Sequence, residues 1–209
     1  MRTTTIAMLL LTAASVSHAG TMMFTTPGTG PDRTGDGFSL GVQFQVVAPN
    51  LTVVSLGIYD TTGGALKTDH EIGLWDVTAG NAQVADATVT AGTSNGGTPG
   101  FVFVDLTTPT ALILGDTYRL AAYYPAGSSA TTDHLLDCCS GSTAPATNPD
   151  FIQLNGEFTP SNTIGGLSEP TGQAGHAYVG PNLQFNTPEP GTGLLILGAV
   201  ALMARLRRR

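Results

Sequence analysis

The sequence predicts an all-β domain, and three observations carry that prediction. The stretch from Gly20 to Thr187 is rich in Gly, Thr, Ala, Val and Pro and poor in charge, which suits short strands and turns better than helices held by Glu–Lys pairs. Its hydrophobic residues recur with a period of two. Turn signals built on Gly, Pro and Asn separate those runs at short intervals, the spacing of an antiparallel β-sandwich of jelly-roll or immunoglobulin-like type. At 209 residues the chain has room for one such domain with a sizeable core.

Residues 1–19 read as a secretory signal peptide helix. Arg2 supplies the positive start, Ile6 to Leu11 the apolar stretch, and Ser17-His18-Ala19 a small-x-small site, so cleavage is expected between Ala19 and Gly20. A core helix is the competing reading, but the apolar run is short and is followed by Thr, Pro and Gly. The domain then covers 20–187.

Within it, Phe38, Leu40, Val42, Phe44 and Val46 alternate with Ser39, Gly41, Gln43 and Gln45, the period of a strand with one buried face. After Ala48-Pro49-Asn50 the alternation resumes at Val54, Leu56 and Ile58 and closes at Thr61-Thr62-Gly63-Gly64, so the two runs are expected to form a hairpin. Further strands are predicted at His70 to Val77, Gln83 to Val89, Phe101 to Leu106 and Thr117 to Tyr124. In the last of these, Tyr118, Leu120, Ala122 and Tyr124 share a face and Arg119 points the other way. Gly127 to Asn148 turns to Ser, Thr, Ala and Pro and reads as a long excursion. Two final strands are predicted at Phe151 to Leu154 and Tyr178 to Phe185, before the linker Asn186-Thr187. No repeat of fixed period is present.

Charge excludes one class of partner. Of fifteen acidic residues all but Glu189 lie between Gly20 and Thr187, where only Arg33, Lys67 and Arg119 are basic. No cationic patch can form to neutralise phosphates, so nucleic-acid binding is not expected. No Gly-x-Ser-x-Gly elbow, His-Glu-x-x-His helix or glycine-rich phosphate loop occurs, and no cofactor is predicted. Distant glycosidase carboxylates would leave no local signature.

Several residues could still carry chemistry. His70, beside Asp69 and Glu71, could act as a base or metal ligand, or it could open a strand with its ring bonded to a turn carbonyl. His134 and His176 are scattered from it. Asp32 and Asp36 put two carboxylates in a glycine loop where calcium could bind, but the loop lacks the alternating ligands and distal Glu of an EF-hand, and a solvated acidic turn is the plainer reading. Tyr59, Tyr123 and Tyr124, with Trp75, could form an aromatic platform for sugar rings, although Trp75 in mid-strand reads as core. Cys138 and Cys139 are neighbours, which leaves a vicinal disulfide, bonds to another chain, or two free thiols. A metal site there would need further ligands.

The remaining segment, 188–209, reads PEPGTGLLILGAVALMARLRRR. Pro188-Glu189-Pro190 holds the backbone extended and out of any sheet, open to an enzyme that must bind it. The apolar run from Gly191 to Ala204 is shorter than the roughly 20 residues of a comfortable membrane span, but Thr192 and Leu206 lengthen it and a bilayer can thin around it. It is predicted to be a transmembrane helix whose Arg205, Arg207, Arg208 and Arg209 stay on the cytoplasmic side.

In this order of tripeptide, apolar helix and basic end, Pro188 to Arg209 resembles the PEP-CTERM sorting signal of exosortase substrates. The resemblance implies a Gram-negative bacterium that makes extracellular polysaccharide, and a membrane-embedded transpeptidase-like cysteine enzyme, exosortase, that cleaves near the tripeptide. The inner membrane would then hold the chain only transiently, before release to the envelope or the outside. The body, from Phe38 to Phe185, resembles a β-sandwich domain of undetermined function found in bacterial envelope proteins. The likeness rests on Phe38-Ser39-Leu40-Gly41-Val42-Gln43-Phe44, Leu56-Gly57-Ile58-Tyr59-Asp60, His70-Glu71-Ile72-Gly73-Leu74-Trp75-Asp76 and Leu112-Ile113-Leu114-Gly115-Asp116-Thr117-Tyr118.

The expected function is therefore non-enzymatic: an exported cell-envelope or matrix protein with a structural or adhesive role linked to exopolysaccharide or biofilm. A carbohydrate-binding module for extracellular polysaccharide is the first alternative and predicts exposed coplanar aromatics on one sheet face or along a loop groove. A small secreted hydrolase is the second, and predicts a cleft where two carboxylates, or His70 and an acid, converge.

Overall fold

The computed structural model describes residues 20–28, 32–34, 37–127, 133–137, 145–159, 166–175 and 178–187. The signal segment with Ala19, the carboxylate Asp36, Cys138, Cys139 and His176 lie outside them, as does the whole tail, including Pro188, Glu189, Pro190, Arg205, Arg207, Arg208 and Arg209. Among the described residues there is no helix, and none long and apolar enough to cross a membrane.

The strands are, in chain order, β1 (Thr21–Met22), β2 (Phe24–Thr26), β3 (Asp32–Thr34), β4 (Phe38–Val46), β5 (Thr52–Asp60), β6 (His70–Asp76), β7 (Ala82–Val89), β8 (Gly100–Ala111), β9 (Thr117–Tyr124), β10 (His134–Asp137), β11 (Ala146–Thr147), β12 (Phe151–Phe158), β13 (Gly172–Ala174), β14 (Tyr178–Val179) and β15 (Pro181–Asn186). They form a six-stranded sheet in the order β13-β12-β4-β9-β6-β7 and a four-stranded sheet in the order β1-β15-β5-β8. Two small sheets, β14-β10-β3 and β11-β2, complete the fold. Every pairing among the described residues is antiparallel.

One hydrophobic core serves both large sheets. Leu40, Val42, Phe44 and Val46 of β4 meet Tyr118, Leu120, Ala122 and Tyr124 of β9, while Val53, Leu56 and Ile58 of β5 and Leu183 and Phe185 of β15 face them from the other sheet. Phe151 links the layers: its ring meets Phe44 edge-on at 5.4 Å and Phe185 at 4.9 Å. Such pairs add about 0.5–1.5 kcal/mol beyond the apolar area they bury. Asn182, fully buried, takes the place of a ladder by accepting from the amides of Phe24 and Leu183 and donating to the Phe24 carbonyl.

The alternation of β9 appears as the sequence predicts, but the expected hairpin does not. β4 pairs with β12 and β9, whereas β5 pairs with β15 and β8, so Val47–Leu51 arches from one sheet to the other. Both strands have an apolar face to bury, and the arch lets those faces meet across the core; buried Leu51 plugs it and Asn50 turns it at φ 60°. β8 runs on to Ala111 through Pro109, which an edge strand tolerates because one side needs no donor. The run predicted at Tyr178 to Phe185 divides at Gly180, where any Cβ would lie 1.6 Å from the Tyr124 hydroxyl. Inside the predicted excursion β10 and β11 form, and β10 pairs with β3. Asp32 thus belongs to a strand rather than to a flexible loop.

Candidate functional site

Two clusters hold the chemistry of the described residues. The first surrounds His70, which is fully buried where β6 begins. Its Nδ1 lies 3.0 Å from the carbonyl oxygen of Tyr123, and its Nε2 lies 3.0 Å from Asp133 Oδ2 and 3.2 Å from Thr68 Oγ1. Asp133 also accepts from the amides of Lys67 and Thr68 and from the Thr68 hydroxyl. Burial alone would raise the Asp133 carboxyl; the hydrogen bond and charge of His70 and the two amides outweigh it and hold the group below the usual carboxylate range.

This is not a nucleophilic relay. In such a relay the acid orients one ring nitrogen and the nucleophile meets the other; here Asp133 and Thr68 share Nε2, and a main-chain carbonyl occupies Nδ1. The carbonyl bound is that of strand residue Tyr123, not of a turn. The sequence neighbours serve elsewhere: Asp69 accepts from the Ala91 amide and Glu71 from the Leu167 amide. The cluster fastens the segment around Asp133 to the sheet.

The second cluster lies on the outer face of the six-stranded sheet. Register places Glu157, Gly41, Ala121, Gly73 and Asp86 in one row across five strands, a trough floored by small residues. Trp75 lies over Gly73, where a Cβ would come within 2.4 Å of its ring. It is buried, although on the outer side of the sheet and not in the central core. Segment 166–170 straps the trough: the Leu167 amide donates to Glu71 at 2.8 Å, the Ser168 amide to Ser39 Oγ at 3.0 Å, and Glu169 pairs with Arg119.

Arg119 also approaches Glu157, Nε to Oε2 at 3.6 Å, and the side chain of Glu157 is wholly buried. Neither Glu157 oxygen has a hydrogen bond among the described residues. Burial pushes its carboxyl up to about 7, with Arg119 opposing and Glu169 adding to the rise. Two carboxylates therefore converge on one guanidinium. Beside the strap an open groove of about 340 Å³ is lined by Glu71, Gln83, Asp86, Ala87, Thr88 and Leu167.

The three tyrosines proposed as a platform are not brought together. Tyr124 is fully buried with its ring 5.0 Å from that of His70, so it cannot contact a surface ligand. Tyr123 lies on the outer face of the six-stranded sheet, and Tyr59 on that of the four-stranded sheet. Tyr59 instead joins two residues that sequence reasoning missed: its ring meets Phe101 at 5.1 Å, and Phe101 meets Phe103 at 6.1 Å, with interplanar angles of 62° and 37°. The signal was present in Phe101-Val102-Phe103, whose alternation aims both rings at one face beside Gly57. Glu157 and Glu169 were missed as well, because neither stands in a motif. Among the described residues no group of three or more His, Cys, Asp or Glu side chains could hold a metal ion.

Antiparallel sheets on one core, with ionic clusters that fasten a strap and a loop, define an all-β protein. The chain belongs to the family described as Domain of unknown function (DUF4082), whose model matches residues 25–178. No curated protein matches it.

Proposed function

We propose that this is an exported envelope or extracellular-matrix protein, non-enzymatic, delivered to exosortase by its tail and serving adhesion or matrix structure beside exopolysaccharide. The observation that carries this reading is the order of residues 188–209: a rigid Pro-Glu-Pro, an apolar run, and an arginine cluster, beyond a signal-like start at residues 1–19. The body's design supports it, since His70 and Arg119 spend their contacts on holding segments in place. On this account residues 1–19 and 191–209 form helices that precede and follow the domain in the chain. The domain itself is a sandwich of the jelly-roll type: β4 and β5 cross from one sheet to the other and pair along their lengths with β9 and β8, which cross back. Replacing Pro188, Glu189 and Pro190 by alanine in the host tests the reading. The variant is expected to stay in the inner-membrane fraction, and its undiminished appearance in the matrix would count against it.

The second reading, a module for extracellular polysaccharide, draws on the row Tyr59, Phe101 and Phe103. Aromatic faces bind sugar rings, but these rings are tilted to one another, which suits a twisted glycan better than a flat one. A glycan array with the parent chain and Tyr59→Ala tests it; loss of a glycan signal in the variant favours the module, and silence of both chains on every polysaccharide rejects it.

A further inference from the structure

Exposed apolar side chains are distributed unevenly over this domain. At one pole β4 ends at Val46, β5 begins at Thr52, β8 ends at Ala111, β9 begins at Thr117, β12 begins at Phe151 and β15 ends at Asn186. Register brings these ends together: Thr52 pairs with both Ala111 and Asn186, Gln45 with Thr117, and Val46 with Phe151. The connectors interlock there as well, through Leu112 N to Leu51 O, Gly115 N to Val46 O and Val47 N to Asp150 O. Among the described residues the large exposed hydrophobics are Val47, Val84, Ile113, Leu114, Ile152 and Leu154. Val47, Ile113 and Leu114 stand on these connectors, and Ile152 opposes Gln45 one step inside. Ile113 and Leu114 head the turn closed by Gly115 at φ 89° and are 58% and 54% exposed. The opposite pole, with turns at 61–65, 95–99 and 125–127, carries no large exposed hydrophobic among the described residues.

The chain also leaves the domain at the apolar pole. β1 pairs Thr21 with Phe185, so Gly20 and Thr187 exit side by side. From Thr187 to the apolar run at Gly191 is four residue steps, a reach of at most about 14 Å when fully extended. A run inserted in a bilayer therefore holds this pole, and not the other, against the headgroups. Asp116 and Asp150 at the same pole rule out electrostatic attraction to anionic lipid as the basis of contact.

We propose that this pole is a lipid-contacting rim: Val47, Ile113, Leu114 and Ile152 rest in the interface of a neutral phospholipid surface while the tail is inserted. The proposal rests on the reading of residues 188–209 as a membrane-inserted segment and adds the orientation of the domain above it.

The test uses the chain from Gly20 to Arg209, without the expected signal segment, in phosphatidylcholine vesicles, once with ordinary acyl chains and once with brominated ones. Leu114→Trp places a reporter on the rim, and Thr98→Trp places one at the far pole; the parent chain, whose one tryptophan is Trp75, gives the background. The chains are expected to float with the vesicles, with brominated lipid at least halving the added emission of Leu114→Trp and leaving that of Thr98→Trp unchanged. Flotation with equal, unquenched emission from both variants would overturn the rim while leaving the inserted tail standing. Failure of the parent to float would overturn the tail reading and the rim together. Absence of flotation with Leu114→Trp shielded from aqueous iodide would place the chain's own apolar run on the rim, which also overturns the proposal.

Discussion

Replacing Glu157 by Gln removes a carboxylate that the trough buries without a hydrogen bond among the described residues. Its carboxyl is raised from the ordinary 4.5 to about 7, chiefly by burial. Each pKa unit corresponds to about 1.4 kcal/mol, so ionising this group in the folded state costs about 3 kcal/mol more than ionising it in the unfolded chain. Between those two values the folded protein keeps the proton and the unfolded chain releases it. Stability therefore falls as pH rises through that window and levels off above it. Glu157→Gln is neutral throughout, and Arg119 keeps Glu169 as a partner. The variant is expected to match the parent near pH 4.5 and to exceed it by about 2–3 kcal/mol at pH 8. Urea unfolding of Gly20–Thr187, followed by Trp75 emission at pH 4.5, 6 and 8, measures this directly. A variant no more stable than the parent at pH 8 would refute the reasoning, because it would mean that the Arg119 ion pair outweighs the burial of the carboxylate.

Asp133→Asn removes the charge that His70, Lys67 and Thr68 share, and is expected to cost about 3 kcal/mol at pH 7 by the same unfolding assay. Because the folded Asp133 carboxyl sits below its ordinary range, that deficit should shrink as pH falls below about 4, where the parent loses the same charge; a deficit that does not change with pH would contradict the assignment. Gly73→Val places side-chain atoms where the Trp75 ring lies, and is expected to destabilise by about 1–3 kcal/mol with a red-shifted Trp75 emission in the native state. An unshifted spectrum with parental stability would show that the ring does not rest on the glycine. Gly41→Ala meets backbone instead of a side chain, its Cβ falling 1.9 Å from the Leu120 carbonyl oxygen, and should be at least as damaging in thermal melts.

What the sequence made legible follows from the range of its signals. The faces of β4 and β9 could be read because alternation is local: one residue in two must be apolar when one side of a strand is buried. The partners of those strands could not. Alternation at Phe38–Val46 and Val54–Ile58 is equally compatible with a hairpin and with an arch, and only the need to close a core between two sheets decides for the arch. The His70 contact shows the same limit: its carboxylate is Asp133, 63 positions away, while the adjacent Asp69 and Glu71 bond elsewhere. Tyr124 is a different case: its alternation with Leu120 and Ala122 already sets it on the apolar face, where the structure buries it, so the expectation of a sugar contact there runs against the strand's own pattern. Gly41 and Gly73, each interrupting a strand pattern, were the local trace of the trough. What they could not reveal is that Trp75, Arg119 and the strap fill it over the buried Glu157.

The account turns on the tail being cut and discarded after export. Intact-mass measurement of the protein recovered from the extracellular matrix of its host tests this most directly. The account predicts a chain that begins at Gly20 and stops near Pro188–Pro190, without Arg205, Arg207, Arg208 or Arg209; a matrix protein that still carries those arginines would contradict it.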